Sequence, residues 1–212
     1  MRVKDFMKTD LVTVDIKTSV LEAQEIMRKK RIKRLPVMKK DKFVGMVTKH
    51  MLLEASPSPA TSLSVYELNY LIAKMTVGDI MVRDPISIPS DLPVEEAIWL
   101  GTERGIGGFP VVDNGRLVGI ITESDMTRVL SEVLGVRGEG QRITIDGMGE
   151  RLGELRELIS VLDEHRTPLL SLITIPRKER KDWVVIVRVR SSDVQEVARA
   201  LKDKGFSVTD VS

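Results

Sequence analysis

The sequence predicts an α+β chain: a strand–helix–strand–strand–helix unit written twice, followed by a separate βαββαβ segment. The main observation behind this is that residues 3–55 align on residues 77–129 without a gap. Val3, Asp5, Met7 and Asp10 fall on Val77, Asp79, Met81 and Asp84, and Val20-x-Glu22-Ala23 falls on Val94-x-Glu96-Ala97. Ile32 falls on Ile106, Pro36-Val37 on Pro110-Val111, and Val44-Gly45 and Thr48 on Val118-Gly119 and Thr122. A repeat of that length marks a supersecondary unit that buries its core against its copy, and the cleft between two such copies is the natural place for a ligand. Beyond the second copy the pattern changes: Leu155, Leu158, Ile159 and Leu162, and later Val194, Val197, Ala198 and Leu201, recur at helical spacing between strand-like runs.

Within each copy the elements follow from local chemistry. Leu11–Val14 and Ile86–Ile88 are short β-type runs. Ser19-x-x-Glu22 opens a helix with a capping-box pattern, and Val20, Ala23, Ile26 and Met27 give that helix one apolar face. Leu35–Met38 and Phe43–Thr48 are the next two strands, matched by Phe109–Val112 and Leu117–Thr122. The segments between them, Lys40-Asp41-Lys42 and Asp113-Asn114-Gly115, have hairpin chemistry. A closing helix is clearest at Glu123–Leu134. Between the copies, Ala55–Ser62 is rich in proline and serine, and Ser64-x-x-Glu67 caps a connecting helix that runs to about Lys74. Three glycines between Gly135 and Gly140 mark the second boundary.

The tail begins with a strand at Arg142–Ile145 and a glycine-rich turn, followed by the first helix. Leu169–Ile175 and Trp183–Val189 read as strands joined by the charged hairpin Arg177–Asp182. The second helix is stopped by Gly205 in the C-cap region, and Phe206–Val211 is a last strand. The order βαββαβ is the ferredoxin-like arrangement.

Composition narrows the function. With 33 basic against 31 acidic residues the net charge is +2, which argues against a dedicated nucleic-acid binder. The absence of cysteine excludes disulfides, thiol catalysis and zinc–thiolate sites. No apolar run approaches a bilayer span, and the opening MRVKDFMKTD lacks the apolar stretch of a secretory signal, so a cytoplasmic location without membrane contact is expected. His50 and His165 belong to no ligand-spaced motif, and no nucleophile–base pair or carboxylate pair suggests catalysis. No metal site and no required cofactor are expected. His165 is placed near a helix C-terminus, where capping is its expected role.

The doubled unit resembles the CBS-domain pair, or Bateman module. The resemblance is carried by Leu35-Pro36-Val37, Phe109-Pro110-Val111-Val112-Asp113, Val44-Gly45-Met-Val-Thr48 and Val118-Gly119-Ile-Ile-Thr122-Glu-Ser-Asp125. The tail resembles an ACT domain in element order and in its Gly153 turn, and the combination is similar to the acetoin-utilization CBS–ACT family. The boundaries implied are a first CBS repeat at 1–56, a linker and connecting helix at 57–74, a second repeat at 75–135 and an ACT-like domain at 139–212.

The resemblance implies a regulatory sensor of AMP, ADP, ATP or S-adenosylmethionine. In CBS pairs the Thr122-x-x-Asp125 spacing is an adenosine-nucleotide signature, with Asp125 on the ribose and Thr122 near phosphate. The chemistry fits, since a carboxylate accepts from two hydroxyls and a helix N-terminus favours an anion. The plain alternative is a capping box and nothing more. The first copy has Met51 where an aspartate would stand, and a thioether cannot accept two ribose hydrogen bonds. One good site per chain is therefore expected. Ile106-Gly107-Gly108-Phe109 is the expected adenine slot, or else simply a tight loop, and Thr9, Leu11 and Val12 are expected to supply the facing wall. Lys33 and Arg34 close a run, Arg28–Arg34, in which six of seven residues are basic. They are expected to reach ligand phosphates, the rest of the run being a solvated helix end.

In the tail, Asp146, Leu152 and Gly153 lie where ACT domains bind amino acids. The alternative there is a purely dimerising domain that pairs through an exposed sheet edge. A homodimer and a regulated protein partner are expected. Two other readings remain: an amino-acid-responsive regulator, and a nucleic-acid binder using Arg28–Arg34 and Arg177–Lys181.

Overall fold

The computed structural model describes residues 1–55, 74–136, 140–149 and 151–212. The expected connecting helix and its Ser64 cap lie outside the described residues. The chain divides into two compact units, Met1–Met126 and Thr127–Ser212.

In the first unit, copy 1 contributes β1 (Val14–Asp15), α1 (Val20–Lys30), β2 (Arg34–Lys39), β3 (Lys42–Thr48) and α2 (Lys49–Glu54). Copy 2 contributes α3 (Val77–Ile80), β4 (Val82–Arg83), α4 (Val94–Arg104), β5 (Gly108–Asp113), β6 (Arg116–Thr122) and the start of α5 (Glu123–Val133). The hairpins β2–β3 and β5–β6 are antiparallel, with the same register shift after Val37 and after Val111. The turn residues Lys40, Asn114 and Gly115 all take positive φ, and Asn-Gly suits that conformation because neither residue is strongly opposed to it.

The copies exchange their leading segments. β4 of copy 2 pairs with β3 of copy 1, and Lys8 of copy 1 pairs with Ile120 of copy 2. Val77 donates its amide to Thr18 and is buried in the copy 1 core; Val3 donates to Leu92 in the same way. The core around α1 and the β2–β3 hairpin therefore includes Leu35, Val37, Val47 and Leu52 from its own copy but also Val77 and Met81 from the other. This explains the matched glycines. A methyl group on Gly45 would stand 2.6 Å from Met81 Sδ and 2.7 Å from the Val82 carbonyl oxygen, and one on Gly119 would collide with Met7 Sδ.

The expected first strands are shorter than read from the sequence. Copy 1 keeps only Val14–Asp15, parallel to β2, and copy 2 keeps a single bridge from Ile88 to Val111. Pro85 and Pro89 flank that bridge and have no amide to extend the ladder. Leu11 and Val12 leave the sheet and face a cavity instead.

The second unit begins within α5, ahead of the glycine-rich boundary. The segment after α5 is tied into this unit: Arg188 Nε donates to the Leu134 carbonyl. Then come β7 (Gln141–Met148), α6 (Glu154–Glu164), β8 (Leu169–Pro176), β9 (Trp183–Val189), α7 (Val194–Asp203) and β10 (Ser207–Val211). The order βαββαβ is the one read from the sequence. The antiparallel sheet runs β10-β7-β9-β8. Alternate residues Ile143 and Ile145 of β7 and Val185, Val187 and Val189 of β9 pack against Leu158, Leu162, Val197 and Leu201 of the helices. Gly205, at φ 92°, follows the C-cap of α7, and His165 Nδ1 lies 2.8 Å from the Val161 carbonyl at the end of α6.

Candidate functional site

The exchanged segments build a cavity of about 330 Å³ inside the first unit, within the usual range for a small-molecule site. Copy 1 lines it with Lys8, Asp10, Leu11, Val12, Arg31, Ile32, Lys33, Arg34 and Pro36; copy 2 with Gly107, Ile120, Thr122, Glu123 and Ser124. The hydrogen bonds that join Lys8 to Ile120, 2.9 and 3.0 Å, fix one wall to the other.

Six of the expected residues meet here: Leu11, Val12, Lys33, Arg34, Gly107 and Thr122. Thr9 is exposed and does not line the cavity. Ile106 is half-buried, its amide donated to the Gly101 carbonyl at the end of α4. Phe109, expected beside an adenine, is instead fully buried, its ring 3.5 Å from where a Gly101 methyl would stand. It is a core residue, because β5 is covered by α4 on that side. Gly107 and Gly108 do admit a flat group, but here that group is Arg34. A methyl on Gly107 would meet the terminal guanidinium nitrogen, and one on Gly108 would lie 3.3 Å from Nε.

Asp125 is buried beside the cavity rather than in its lining. Its Oδ2 accepts from the Thr122 amide at 3.0 Å and from the Thr122 hydroxyl at 2.6 Å; Lys8 Nζ lies 3.9 Å from Oδ1. The same box recurs at the start of α3, where Asp79 Oδ2 accepts from the amide and hydroxyl of Thr76 at 2.8 and 2.7 Å. Asp79 is exposed, whereas Asp125 has 2% exposure. A cap functions equally well in water, so helix capping alone does not account for a carboxylate placed at 2% exposure, where its charge needs partners. In copy 1, Thr48 accepts from the Met51 amide at 3.3 Å, and the methionine side chain offers nothing comparable in return.

The electrostatics centre on Arg34. Its half-buried guanidinium is held below the ordinary arginine range by loss of solvent, while the charge of Glu123 pulls the other way. Glu123 Oε2 would stand 3.3 Å from a methyl on Gly107, so acid and guanidinium converge on one glycine. The sequence reading did not pick out Lys8, Arg31 or Ile120 as site residues. Arg31 sits in the basic run, but Lys8 and Ile120 reach the site only through the exchange of segments, which no local pattern discloses.

In the second unit, Met148, Gly149, Arg151, Leu152, Gly153, Glu154, Leu155, Thr174, Trp183 and Val185 line a cavity of about 360 Å³. Leu152 and Gly153 are thus brought together, and Gly153 takes φ 97° as the N-cap of α6. Asp146 is not in that lining; it pairs with Arg177. Among the described residues no group of three or more acidic, histidine or cysteine side chains is arranged to hold a metal ion, and no helix is long and apolar enough to cross a membrane.

A family model for the CBS domain matches residues 3–58 and 77–132. The chain belongs to the CBS-domain family. The pair of matches falls on the two copies that exchange their leading segments, so the first unit is a CBS pair. A CBS domain-containing protein of Dictyostelium discoideum is 33% identical over 134 residues, covering 62% of this chain and 92% of its own. An inosine-5'-monophosphate dehydrogenase of Thermoplasma acidophilum is 34% identical over 118 residues, 55% of this chain, but the match spans only 21% of that enzyme. Among solved structures, CBSX2 of Arabidopsis thaliana in complex with AMP is 31% identical with a TM-score of 0.52, over 62% of this chain and 97% of that one. The CBS domain pair of protein MJ0100, in complex with 5'-methylthioadenosine and S-adenosyl-L-methionine, is 29% identical with a TM-score of 0.52 and the same coverage. A Vibrio cholerae structure named for acetoin utilization, AcuB, is 25% identical with a TM-score of 0.54, over 66% of this chain and 96% of that one.

Proposed function

We propose that the chain is a non-catalytic regulatory sensor that binds an adenosine nucleotide or another adenosyl compound in the cavity between its CBS repeats. One observation carries this reading: both copies contribute walls to one cavity that combines apolar residues, a helix N-terminus and four cationic side chains. The adenosyl ligands of CBSX2 and of the MJ0100 pair support it. In this reading Thr122 and Asp125 receive the ribose and phosphate end, with Asp125 Oδ1 exchanging Lys8 for a hydroxyl. Leu11, Val12 and Gly107 bound the base, and Lys33 and Arg34 meet phosphate.

The domains we assign are CBS repeats at 1–56 and 75–135, a connecting segment at 57–74 and an ACT-type dimerising domain at 139–212. A homodimer that acts on a regulated protein in the cytoplasm completes the proposal, and the AcuB likeness supports a place in acetoin utilization. A ligand that contacts both repeats changes their relation only insofar as it binds one arrangement better than the other.

Calorimetric titration of AMP, ADP, ATP and S-adenosylmethionine into wild type and Asp125→Ala tests the reading. Saturable binding that the substitution weakens at least about tenfold supports it; no binding of any of the four removes it. The cavity beside Gly153 motivates a second reading, a sensor of amino acids through the βαββαβ unit. Trp183 lines that cavity, so amino acids that bind there change its fluorescence; silence across the common amino acids removes this alternative.

A further inference from the structure

We propose that the cavity selects its adenosyl ligand by charge, accepting a 5'-phosphate and rejecting a sulfonium, because Arg34 lies near an internal carboxylate, Glu123, whose place beside it a phosphate takes. The inference rests on the reading of this cavity as an adenosyl site and goes further by choosing among its ligands. The lining carries Lys8, Arg31, Lys33 and Arg34 against Asp10 and Glu123. That balance favours an anion and opposes a cation.

Arg34 is the group the fold commits most firmly. It opens β2, and its guanidinium lies over the backbone of Gly107 and Gly108, the two positions of copy 2 where a side chain would displace it. A half-buried guanidinium needs an anion. Glu123, from the other repeat, approaches the same glycine and acts on Arg34 through its charge. Burial lowers the Arg34 pKa, and the nearby charge of Glu123 opposes that lowering.

Glu123 is itself exposed, so it returns to water with little penalty. A phosphate monoester offers three acceptor oxygens and more charge than a carboxylate, in a shape that a guanidinium grips with two parallel hydrogen bonds. Exchange of Glu123 for phosphate also breaks an attraction between the two repeats, which gives ligand charge a direct route to their relative arrangement. 5'-Methylthioadenosine is neutral and offers Arg34 no anion; S-adenosylmethionine has one carboxylate but also an ammonium and a sulfonium, so it brings net positive charge into a cavity that is already cation-rich.

Calorimetry on the full chain with AMP, 5'-methylthioadenosine and S-adenosylmethionine tests this, using wild type, Arg34→Gln and Glu123→Gln at two salt concentrations. The expected result is AMP binding at least about tenfold tighter than either competitor, with the margin narrowing at higher salt. Arg34→Gln removes the preference while weak binding of 5'-methylthioadenosine persists. Glu123→Gln, at an exposed position, tightens AMP several-fold and by more than it changes the affinity for 5'-methylthioadenosine. Equal affinities in wild type, a preference that survives Arg34→Gln, or weaker AMP binding in Glu123→Gln each overturn the inference and leave the adenosyl reading standing. No binding by any of the three compounds overturns both.

Discussion

Two matched glycines give a sharp test of the exchanged architecture, because the same Gly→Ala change meets different atoms in the two copies. At Gly45 the added methyl lies 2.7 Å from the Val82 carbonyl oxygen, which is backbone locked in the β3–β4 pairing, and 2.6 Å from Met81 Sδ. At Gly119 the collision is with Met7 Sδ, the mobile end of an unbranched side chain, and the Lys8 carbonyl oxygen lies 3.2 Å away. Overpacking against fixed atoms costs about 1–3 kcal/mol, and the lower chain entropy of alanine returns about 0.5–1 kcal/mol at either position. Gly45→Ala is therefore destabilised by about 1–2 kcal/mol and Gly119→Ala by less than about 1 kcal/mol. At about 2–4 °C per kcal/mol for a chain of this size, scanning calorimetry should find the first-unit transition lowered by about 2–8 °C in Gly45→Ala and by less than about 4 °C in Gly119→Ala. Ligand binding should reverse the order. Gly119 supports the pairing that holds Lys8 at the cavity wall, whereas Gly45 supports the opposite edge, which the cavity does not touch. Gly119→Ala should weaken AMP several-fold and Gly45→Ala should leave it unchanged. A larger melting shift in Gly119→Ala, or ligand loss confined to Gly45→Ala, would refute the exchange of segments as the organising feature.

Three further outcomes are expected. Asp79 is held below its ordinary carboxylate value by the Thr76 amide first and then by its hydroxyl; a depressed folded pKa stabilises above the unfolded value and is lost as pH falls through the folded one. Asp79→Asn should thus melt a few degrees below wild type at pH 7, with the gap closing below about pH 4, and should bind AMP normally, unlike Asp125→Asn. Gly107→Ala should melt within about 3 °C of wild type, since the atoms it meets are the far ends of Arg34 and Glu123, yet should lose most of its AMP affinity in calorimetry because the guanidinium is displaced. Leu158→Ala, at a fully buried position in the second unit, should cost about 2–5 kcal/mol in denaturant unfolding.

The difference between what was legible in the sequence and what was not follows the range of the interactions. Strand and helix identity rest on neighbours a few residues apart, so Trp183–Val189, the Ser19 cap and the stop at Gly205 could all be read directly from the chain. The repeat could be read because each copy solves the same packing problem. What it concealed was that each copy solves it with the other's leading segment, since Val3 and Val77 look like ordinary apolar positions within their own copies. The candidate site shows the same division. Thr122-x-x-Asp125 is a local motif, but whether it is only a cap depends on burial, which the motif does not set: Asp79 in the same box is exposed and Asp125 is buried.

The Gly107-Gly108 pair carries this furthest. Read alone, it predicts close approach by something flat, and the structure supplies a guanidinium from the aligned position of copy 1, since Arg34 falls on Gly108 when the repeats are superposed in sequence. The two copies differ sharply at this pair of positions, one carrying a large cation and the other no side chain at all. Near-symmetric placement puts those positions close to each other, and two arginines there would repel and would not fit in the space. The asymmetry thus centres a cation-lined cavity on Arg34, on the side where Asp125, and not Met51, stands at the helix start.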